Sequence, residues 1–256
     1  GLMFDFITPL ENVRNKEPLV QCIINFVTVN DCANIILAAG GSPSMSQDIR
    51  EVEESVCHSD ALVCNMGAID FTESMILAGK KANILGIPVV LDPVAAGGTS
   101  LRREVSKRLL KEVHFTAIRG NASEIRYLAG QSSIGSGVDV ALEDRITEQN
   151  IYESIEVARM LATSTGSIIA VSGPIDIITN GEHTVLLRNG CATMARITGS
   201  GCMLTSLIGA FCGSNRNDYF LAVCSAVAVM GISGELAEIK RLKNGMGNAT
   251  FRTDMI

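Results

Sequence analysis

The stretch that decides the fold is residues 61–94, ALVCNMGAIDFTESMILAGKKANILGIPVVLDPV. Its apolar runs at 61–64 and 87–91 have the length and composition of buried strands. Between these runs, apolar residues recur on one face of a helix: Phe71, Met75, Ala78, Ala82 and Leu85. Gly86 then predicts the end of that helix. Two strands joined by a helix in this way are typical of a parallel sheet.

The same alternation of strands and helices continues in both directions along the chain. Further strands are predicted at 19–24, 115–118 and 167–171, and further helices at 31–39, 101–112, 151–162 and 203–211. The pair Asn180-Gly181, between apolar runs at 175–179 and 184–187, predicts a hairpin. We therefore expect one α/β domain over residues 1–256, with a mainly parallel central sheet and helices on both faces.

The composition narrows the class of function. Apolar residues make up 47% of the 256 residues, charged residues make up 19%, and the net charge is −6. The net negative charge argues against a nucleic-acid partner. The longest apolar run, residues 221–232, is too short to cross a membrane and predicts a buried helix. The eight cysteines contain no C-x-x-C pair and follow no signal peptide, so we expect free thiols in the cytoplasm.

Ligands of parallel α/β sheets bind beyond the carboxyl ends of the strands. Several polar residues and glycines follow directly after predicted strands and should meet at that edge: Asn25, residues 65–67, Asp92, residues 119–121 and residues 172–173. Among them, Asp92 stands in the sequence Leu91-Asp92-Pro93-Val94, where its carboxylate would face the ligand. It could instead cap a turn, but no partner is evident nearby, and we favour a functional carboxylate.

The corner from Arg119 to Glu124 allows two interpretations. Asn121 and Glu124 have the spacing of a capping box at the start of a helix. That interpretation leaves Arg119 unexplained. An arginine and a glutamate at such a corner also suit a phosphate and the ligand shell of Mg²⁺.

The segment Thr198-Gly199-Ser200-Gly201-Cys202 leads into the predicted helix at 203–211. Glycines at a helix start expose backbone N–H groups to an anion. An ordinary glycine-rich turn with a buried cysteine would have the same pattern. The segment is not a Walker A motif, because no Gly-Lys-Ser/Thr follows it.

Together and in this order, the motifs resemble the hydroxyethylthiazole kinase family, whose fold is ribokinase-like. The resemblance extends from about residue 18 to the C-terminus. It rests on Asn25 and on the segments 41–45 (GSPSM), 65–67 (NMG), 91–94 (LDPV), 117–125 (AIRGNASEI), 171–173 (VSG) and 197–202 (ITGSGC). Ser172 stands where a threonine is common and Arg196 where a lysine is common, so the hydroxyl and the positive charge are kept.

The resemblance implies that ATP, with Mg²⁺, phosphorylates the alcohol of 4-methyl-5-(2-hydroxyethyl)thiazole in a homotrimer whose active sites lie between subunits. The residues it places on the thiazole side are Met45, Gly199, Asn25 and Gly67. The residues it places on the ATP side are Arg119, Ser172, Asn121 and Gly201. It assigns Asp92 and Glu124 to the metal. It assigns Cys202 to the catalytic position, where most ribokinase-like kinases have an aspartate.

Two roles are open to Cys202. A thiol at a helix N-terminus has a lowered pKa and could act as a base. A bound triphosphate would raise that pKa again, and a loose transition state needs little prior deprotonation of the alcohol. We expect Cys202 to orient the hydroxyl and to take its proton late.

Three other functions remain open on the sequence alone. They are a sibling kinase for pyridoxal or a hydroxymethylpyrimidine, a nucleotide-dependent repair dehydratase of the same fold, and a thiazole-binding protein without catalysis. A cysteine at position 202 argues against the sibling kinases, which usually keep the aspartate. A hydrolase with a cysteine nucleophile is disfavoured, because no histidine stands in a recognisable partner motif.

Overall fold

The computed structural model describes residues 5–132, 150–188 and 200–244, of which residues 131–132, 200 and 234–244 by their backbone alone. The described strands are β1 (Leu19–Ile23), β2 (Ser42–Ser44), β3 (Ala61–Asn65), β4 (Val89–Asp92), β5 (Ala117–Asn121), β6 (Ile168–Ser172), β7 (Asp176–Thr179) and β8 (Thr184–Leu187). The described helices are α1 (Ile7–Lys16), α2 (Val29–Ala39), α3 (Val52–Cys57), α4 (Thr72–Leu85), α5 (Ser100–Glu112), α6 (Ala122–Ser132), α7 (Ile151–Thr165), α8 (Ser200–Ser214) and α9 (Tyr219–Asn244).

The strands form one sheet in the order β2-β1-β3-β4-β5-β6-β7-β8. The pairs from β2 to β6 are parallel, and β7 and β8 add an antiparallel edge. The central strands β3 and β4 have no exposed position, as expected for strands covered on both faces. The prediction of a mainly parallel sheet is confirmed.

Alternate residues of each strand pack into two separate cores. Leu62 and Leu91 belong to the core that contains α3, α4, α5, α6 and α7. Val63 and Val90 belong to the core that contains α1, α2, α8 and α9. The helices therefore cover both faces, as predicted. The run at 221–232 lies in α9, and its residues from Ala222 to Met230 are almost entirely buried.

Two of the helices, α2 and α4, end at glycines. Gly40 ends α2 with φ 107°, and Gly86 ends α4 with φ 72°. Both values lie in the left-handed region, which glycine adopts without steric cost. Among the described helices, none combines the length and the apolar character needed to span a bilayer.

The hairpin is present, but its turn is longer than an Asn-Gly pair. Thr179 pairs with Thr184, which leaves a loop of residues 180–183. Asn180 Oδ1 accepts hydrogen bonds from the N–H groups of Glu182 (3.0 Å) and His183 (2.8 Å). This side chain organises a four-residue loop in place of the two-residue turn that the sequence suggested.

Candidate active site

Four neighbouring strands carry polar side chains at or near their carboxyl ends, on the sheet face that carries α8. The apolar residues on that face share a core with α8: Val63 in β3, Val90 in β4, Ala117 in β5 and Ala170 in β6. Side chains two residues apart in a strand point to the same face. The next positions on this face, which we call the polar row, are Asn65, Asp92, Arg119 and Ser172.

Asp92 and Arg119 form an ion pair inside the polar row. Arg119 Nη2 donates to Asp92 Oδ1 at 2.8 Å, and the exposed fractions are 0% for Asp92 and 6% for Arg119. Buried charges persist only when they are paired and hydrogen-bonded. Burial alone would lower the pKa of Arg119, but the negative charges of Asp92 and Glu124 raise it. The guanidinium therefore stays charged in the interior.

Thr205, one turn into α8, connects these two charges. Its Oγ1 accepts from Arg119 Nε at 2.9 Å and donates to Asp92 Oδ2 at 2.8 Å. Ser172 Oγ accepts from Arg119 Nη1 at 3.2 Å. Both oxygens of Asp92 thus have protein partners. Two N–H groups of Arg119 have no partner among the described residues, and a phosphate oxygen could accept from them.

Gly201 lies in the first turn of α8 and faces the same guanidinium. A Cβ at position 201 would lie 3.0 Å from Arg119 Nη1 and Nη2. The first turn of a helix has backbone N–H groups without helical partners and carries a partial positive charge. The guanidinium and these N–H groups therefore lie together, in an arrangement that attracts an anion. The structure brings the predicted Arg119, Ser172 and Gly201 together here.

Cys202 follows in the same turn and contacts the polar row through Asn65. Asn65 Nδ2 donates to Cys202 Sγ at 3.1 Å. Burial raises the pKa of the Cys202 thiol to about 12, with a further increase from the charge of Asp92, while Arg119 and Asn65 lower it. The net shift of this pKa is therefore upward, with burial as its largest cause.

Asn25 and Gly67 lie on the other side of Asn65. The Gly67 N–H donates to Asn65 Oδ1 at 2.7 Å. A Cβ at position 67 would lie 2.5 Å from Asn25 Nδ2 and 2.8 Å from Asn65 Oδ1. Asn25 Oδ1 in turn accepts from the backbone N–H of Thr28 at 3.2 Å and from its hydroxyl at 3.1 Å. Asn25, Gly67 and Cys202 are thus brought together as predicted.

Met45 follows the edge strand β2 and is partly buried against the core that Cys202 also contacts. The segment after it is fixed to β1, because Gln21 Nε2 donates to the carbonyl of Ser46 at 2.9 Å. The N–H of Ile24 also donates to Gln47 Oε1, at 3.3 Å. These contacts hold Met45 near the carboxyl end of β1.

Asn121 and Glu124 form the capping box that the sequence allowed. The N–H of Asn121 donates to Glu124 Oε1 at 2.9 Å, and the N–H of Glu124 donates to Asn121 Oδ1 at 2.8 Å. Glu124 Oε2 accepts from the N–H of Ala95 at 2.8 Å, where Ala95 has the left-handed φ of 52°. Burial raises the pKa of Glu124. Glu124 therefore fixes both the start of α6 and the loop after β4.

The donor set at this edge fits a hydrated Mg²⁺ ion better than a directly ligated one. The described residues contain no group of three or more His, Cys, Asp or Glu side chains placed to hold a metal. Asp92 has no exposed surface, and each oxygen of Glu124 already accepts a backbone N–H. Mg²⁺ usually keeps several waters and takes one or two carboxylates together with substrate phosphates. Glu124, which is partly exposed, is the carboxylate that such an ion could reach.

Asp176 is a further acid next to the polar row. It begins β7, four residues after Ser172, and its Oδ1 accepts from the N–H of Gly173 at 3.0 Å. Burial raises the pKa of Asp176 to about 6, although the Gly173 N–H and the charge of Arg119 lower it. In the sequence, Asp176 stands out only as part of a predicted hairpin strand.

Three residues of this site were missed by the sequence analysis: Asn65 as a thiol contact, Thr205 and Asp176. Thr205 had a usable signal, because it is a polar residue three positions, about one helical turn, after Cys202. The predicted thiazole residue Gly199, together with Arg196, lies outside the described residues.

Comparison with known proteins adds an independent line of evidence. A family model described as "HK: Hydroxyethylthiazole kinase family" matches residues 10–256. A hydroxyethylthiazole kinase of Clostridium beijerinckii is 49% identical over 241 residues, which cover 93% of this chain and 86% of that protein.

Solved structures agree with this family match and with the fold. The hydroxyethylthiazole kinase protein of Pyrococcus horikoshii OT3 is 33% identical, with a TM-score of 0.86 and coverage of 98% of this chain and 90% of that chain. A Bacillus subtilis pyridoxal kinase in an ADP complex has a TM-score of 0.60 at 14% identity, with coverage of 84% and 90%, and so shares the fold alone. The family match, the identity over nearly the whole chain and the ribokinase-like fold agree, and this chain belongs to the hydroxyethylthiazole kinase family.

Proposed function

We propose that this protein transfers the γ-phosphoryl group of ATP to the hydroxyl of 4-methyl-5-(2-hydroxyethyl)thiazole, as a step of thiamine salvage. The observation that carries the proposal is the contact of Arg119 with Asp92, Thr205 and Gly201 beneath the first turn of α8, beside Cys202. Phosphoryl transfer depends on in-line positioning and on charge stabilisation, and this group of residues supplies both.

Arg119 is the residue we assign to the phosphates of ATP. Its position is fixed by three hydrogen bonds within the protein, and two of its N–H groups have no partner among the described residues and remain for a ligand. The backbone N–H groups of Gly201 and Cys202 belong to the first turn of α8 beside this guanidinium, and there they would stabilise the negative charge that develops on the transferred group. Ser172 and Asn121, at the ends of β6 and β5, complete the proposed contacts to ATP, and Gly199 is assigned to the thiazole.

Mg²⁺ is the metal we propose; the ATP phosphates and, through water, Glu124 would hold it, and the charge of Asp92 acts on the same carboxylate of Glu124. The ion would neutralise part of the phosphate charge when bound. Two observations support this role of Glu124. Its side chain is partly exposed, and its carboxylate accepts a hydrogen bond from the N–H of Ala95 in the loop after β4.

Cys202 is assigned the orienting role expected from the sequence, without the late uptake of the alcohol proton that was expected with it. A group with a pKa of about 12 is ionised in roughly one molecule in 10⁵ at pH 7. A protonated thiol cannot take the alcohol proton as well. The loose transition state lets that proton leave late, and an oxygen of the transferred phosphoryl group is the acceptor that balances the step. Met45, Asn25 and Gly67 would then line the approach of the alcohol.

The assembly we propose is a homotrimer with the thiazole site completed by a neighbouring subunit. Phe26 and Val27, directly after Asn25, are 81% and 78% exposed, and Ile49 is 51% exposed close after Met45. Exposed apolar residues grouped beside a site favour a protein contact there. Sedimentation equilibrium on the wild type and on Phe26→Glu would test the assembly.

We also propose a reducing, cytoplasmic location, since the seven cysteines of the described residues are free thiols.

ADP release, coupled to a spectroscopic readout, tests the activity directly. We expect ADP only when hydroxyethylthiazole, ATP and Mg²⁺ are all present, and mass spectrometry should find the thiazole phosphate ester. Pyridoxal and a hydroxymethylpyrimidine serve as competing alcohols. A higher kcat/KM for either alcohol would reassign the substrate. Water loss from a hydrated nicotinamide cofactor, or thiazole binding without ATP consumption, would contradict the kinase proposal.

A further inference from the structure

The side-chain amide of Asn65 has only one possible orientation. The backbone N–H of Gly67 can only donate, so the atom 2.7 Å from it must be the carbonyl oxygen Oδ1. The NH₂ end therefore faces Cys202 Sγ, at 3.1 Å. Asn65 is 1% exposed, so bulk water does not compete for either end.

We propose that Asn65 is a positioning residue for phosphoryl transfer, because its NH₂ group occupies one lone pair of the Cys202 sulfur and leaves the S–H free to face the acceptor alcohol. The proposal rests on the function proposed above. It adds a residue that does not itself touch either substrate but sets how Cys202 meets the hydroxyl.

The direction of this hydrogen bond determines its chemical effect. An amide N–H that donates to sulfur favours the thiolate over the thiol and holds the sulfur at a fixed position. The charged or titratable groups that act on Cys202 are Asp92 from β4, Arg119 from β5 and Cys32 from α2. Among these influences, only Arg119 and Asn65 lower the pKa of Cys202. Asn65 does so without adding a charge.

Gly67 makes this arrangement possible. A Cβ at position 67 would collide with both Asn25 Nδ2 and Asn65 Oδ1, at 2.5 Å and 2.8 Å. Any side chain there would push the amide of Asn65 away from the backbone N–H that orients it. The glycine in Asn65-Met66-Gly67 is therefore explained by the orientation of Asn65, in addition to any contact with the thiazole.

The variant Asn65→Asp keeps the shape and keeps an acceptor for the Gly67 N–H, but it replaces the donor to sulfur by a carboxylate oxygen. We expect the rate of Cys202 alkylation by iodoacetamide, which follows the thiolate fraction, to fall about tenfold across pH 7–9. All proteins would carry Cys57→Ser, since Cys57 is exposed and would react as well. Asn65→Ser, which is uncharged and too short to reach the sulfur, should change the rate in the same direction.

Kinetics supply the second readout. We expect kcat to fall at least tenfold in Asn65→Asp, while KM for ATP changes less than twofold. In a Cys202→Ala background the same substitution should change kcat less than twofold, because the contact it removes is already absent. Asn83→Asp is the matched control. Asn83 also accepts a backbone N–H with Oδ1 and donates with Nδ2, but to His114 at the opposite edge of the sheet.

Three results would overturn the role of Asn65: an unchanged alkylation rate in folded Asn65→Asp and Asn65→Ser, an unchanged kcat, or an equal loss of kcat in the Cys202→Ala background. Failure of the proposed function is a separate result. It would appear as no phosphorylation of the thiazole alcohol by the wild type, whereas alkylation needs no kinase activity.

Discussion

The guanidinium of Arg119 lies against the backbone of Gly201, where a Cβ would be only 3.0 Å from Nη1 and Nη2 and could be accommodated only if the guanidinium moved by a few tenths of an ångström. We predict that Gly201→Ala displaces the guanidinium. Alanine is about 1 kcal/mol better than glycine within a helix, so stability should change by no more than about that amount. The kcat/KM for ATP should fall about tenfold or more, measured by ADP release. Gly130→Ala in α6 is the control, because a Cβ there meets nothing within 4 Å. A loss of activity in both variants would contradict this explanation.

Asp92→Asn should destabilise the protein and abolish activity. It removes the charge that compensates the buried Arg119, and breaking such a pair costs about 3–5 kcal/mol. Urea unfolding would measure the loss. The double variant Asp92→Leu/Arg119→Met should recover most of the stability but none of the activity, because apolar residues can replace a buried ion pair without binding phosphate. A fully stable Asp92→Asn would show that the pair contributes little.

Thr205→Val keeps the volume of the side chain but removes the hydroxyl between Arg119 and Asp92. Leaving a buried donor or acceptor without a partner costs about 1–3 kcal/mol. We expect that loss in the free energy of unfolding, together with a lower kcat from a misplaced guanidinium. Thr205→Ser, which keeps the hydroxyl, should behave like the wild type in both measurements. If the two variants lose equal activity, the hydroxyl is not responsible.

Asp176 should make stability depend on pH. Its pKa in the folded protein, about 6, lies above the reference value of 3.8. The folded state therefore binds the proton more tightly than the unfolded state, and this contribution is lost as the pH rises from about 4 through 6. Two pKa units correspond to an upper limit of about 3 kcal/mol, reduced by partial exposure.

The isosteric variant Asp176→Asn keeps the acceptor for Gly173 and removes the charge. We expect it to be more stable than the wild type at pH 7 and equally stable below pH 4, in urea unfolding at a series of pH values. A difference that does not change with pH would show that the carboxyl group does not titrate in this range.

The sequence predicted those parts of the fold that have strong periodicity. The unit β3-α4-β4 and the ends of α2 and α4 follow from apolar spacing and from Gly40 and Gly86. The elements α1, β2 and α3 were not predicted. Only Pro9 and Val13 are buried in α1, and α3 has six residues. The edge strand β2 is three residues long with proline in the middle, which carries no strand pattern.

The candidate site, like the fold, was predicted from the sequence only in part. Asp92, Arg119 and Cys202 stand in recognisable segments, and the rule for strand ends placed Asp92 and Arg119 at one edge. Their partners depend on register and helix orientation, which no local pattern contains. Asn65 lies opposite Asp92 in the pairing of β3 with β4, and Thr205 meets Arg119 only because α8 crosses the same face. The direction of the pKa shift of Cys202 depends on its burial, which the motif alone does not give.

The location of Met45 after the three-residue edge strand β2 has a consequence for redesign. The groups proposed to bind phosphate stand on central strands that are held on both sides, whereas the proposed acceptor side borders a short strand paired on one side only. Changes in residues 42–48 should therefore alter which alcohol is accepted while the transfer machinery stays intact. A search for new acceptor alcohols would best begin with variants in that segment.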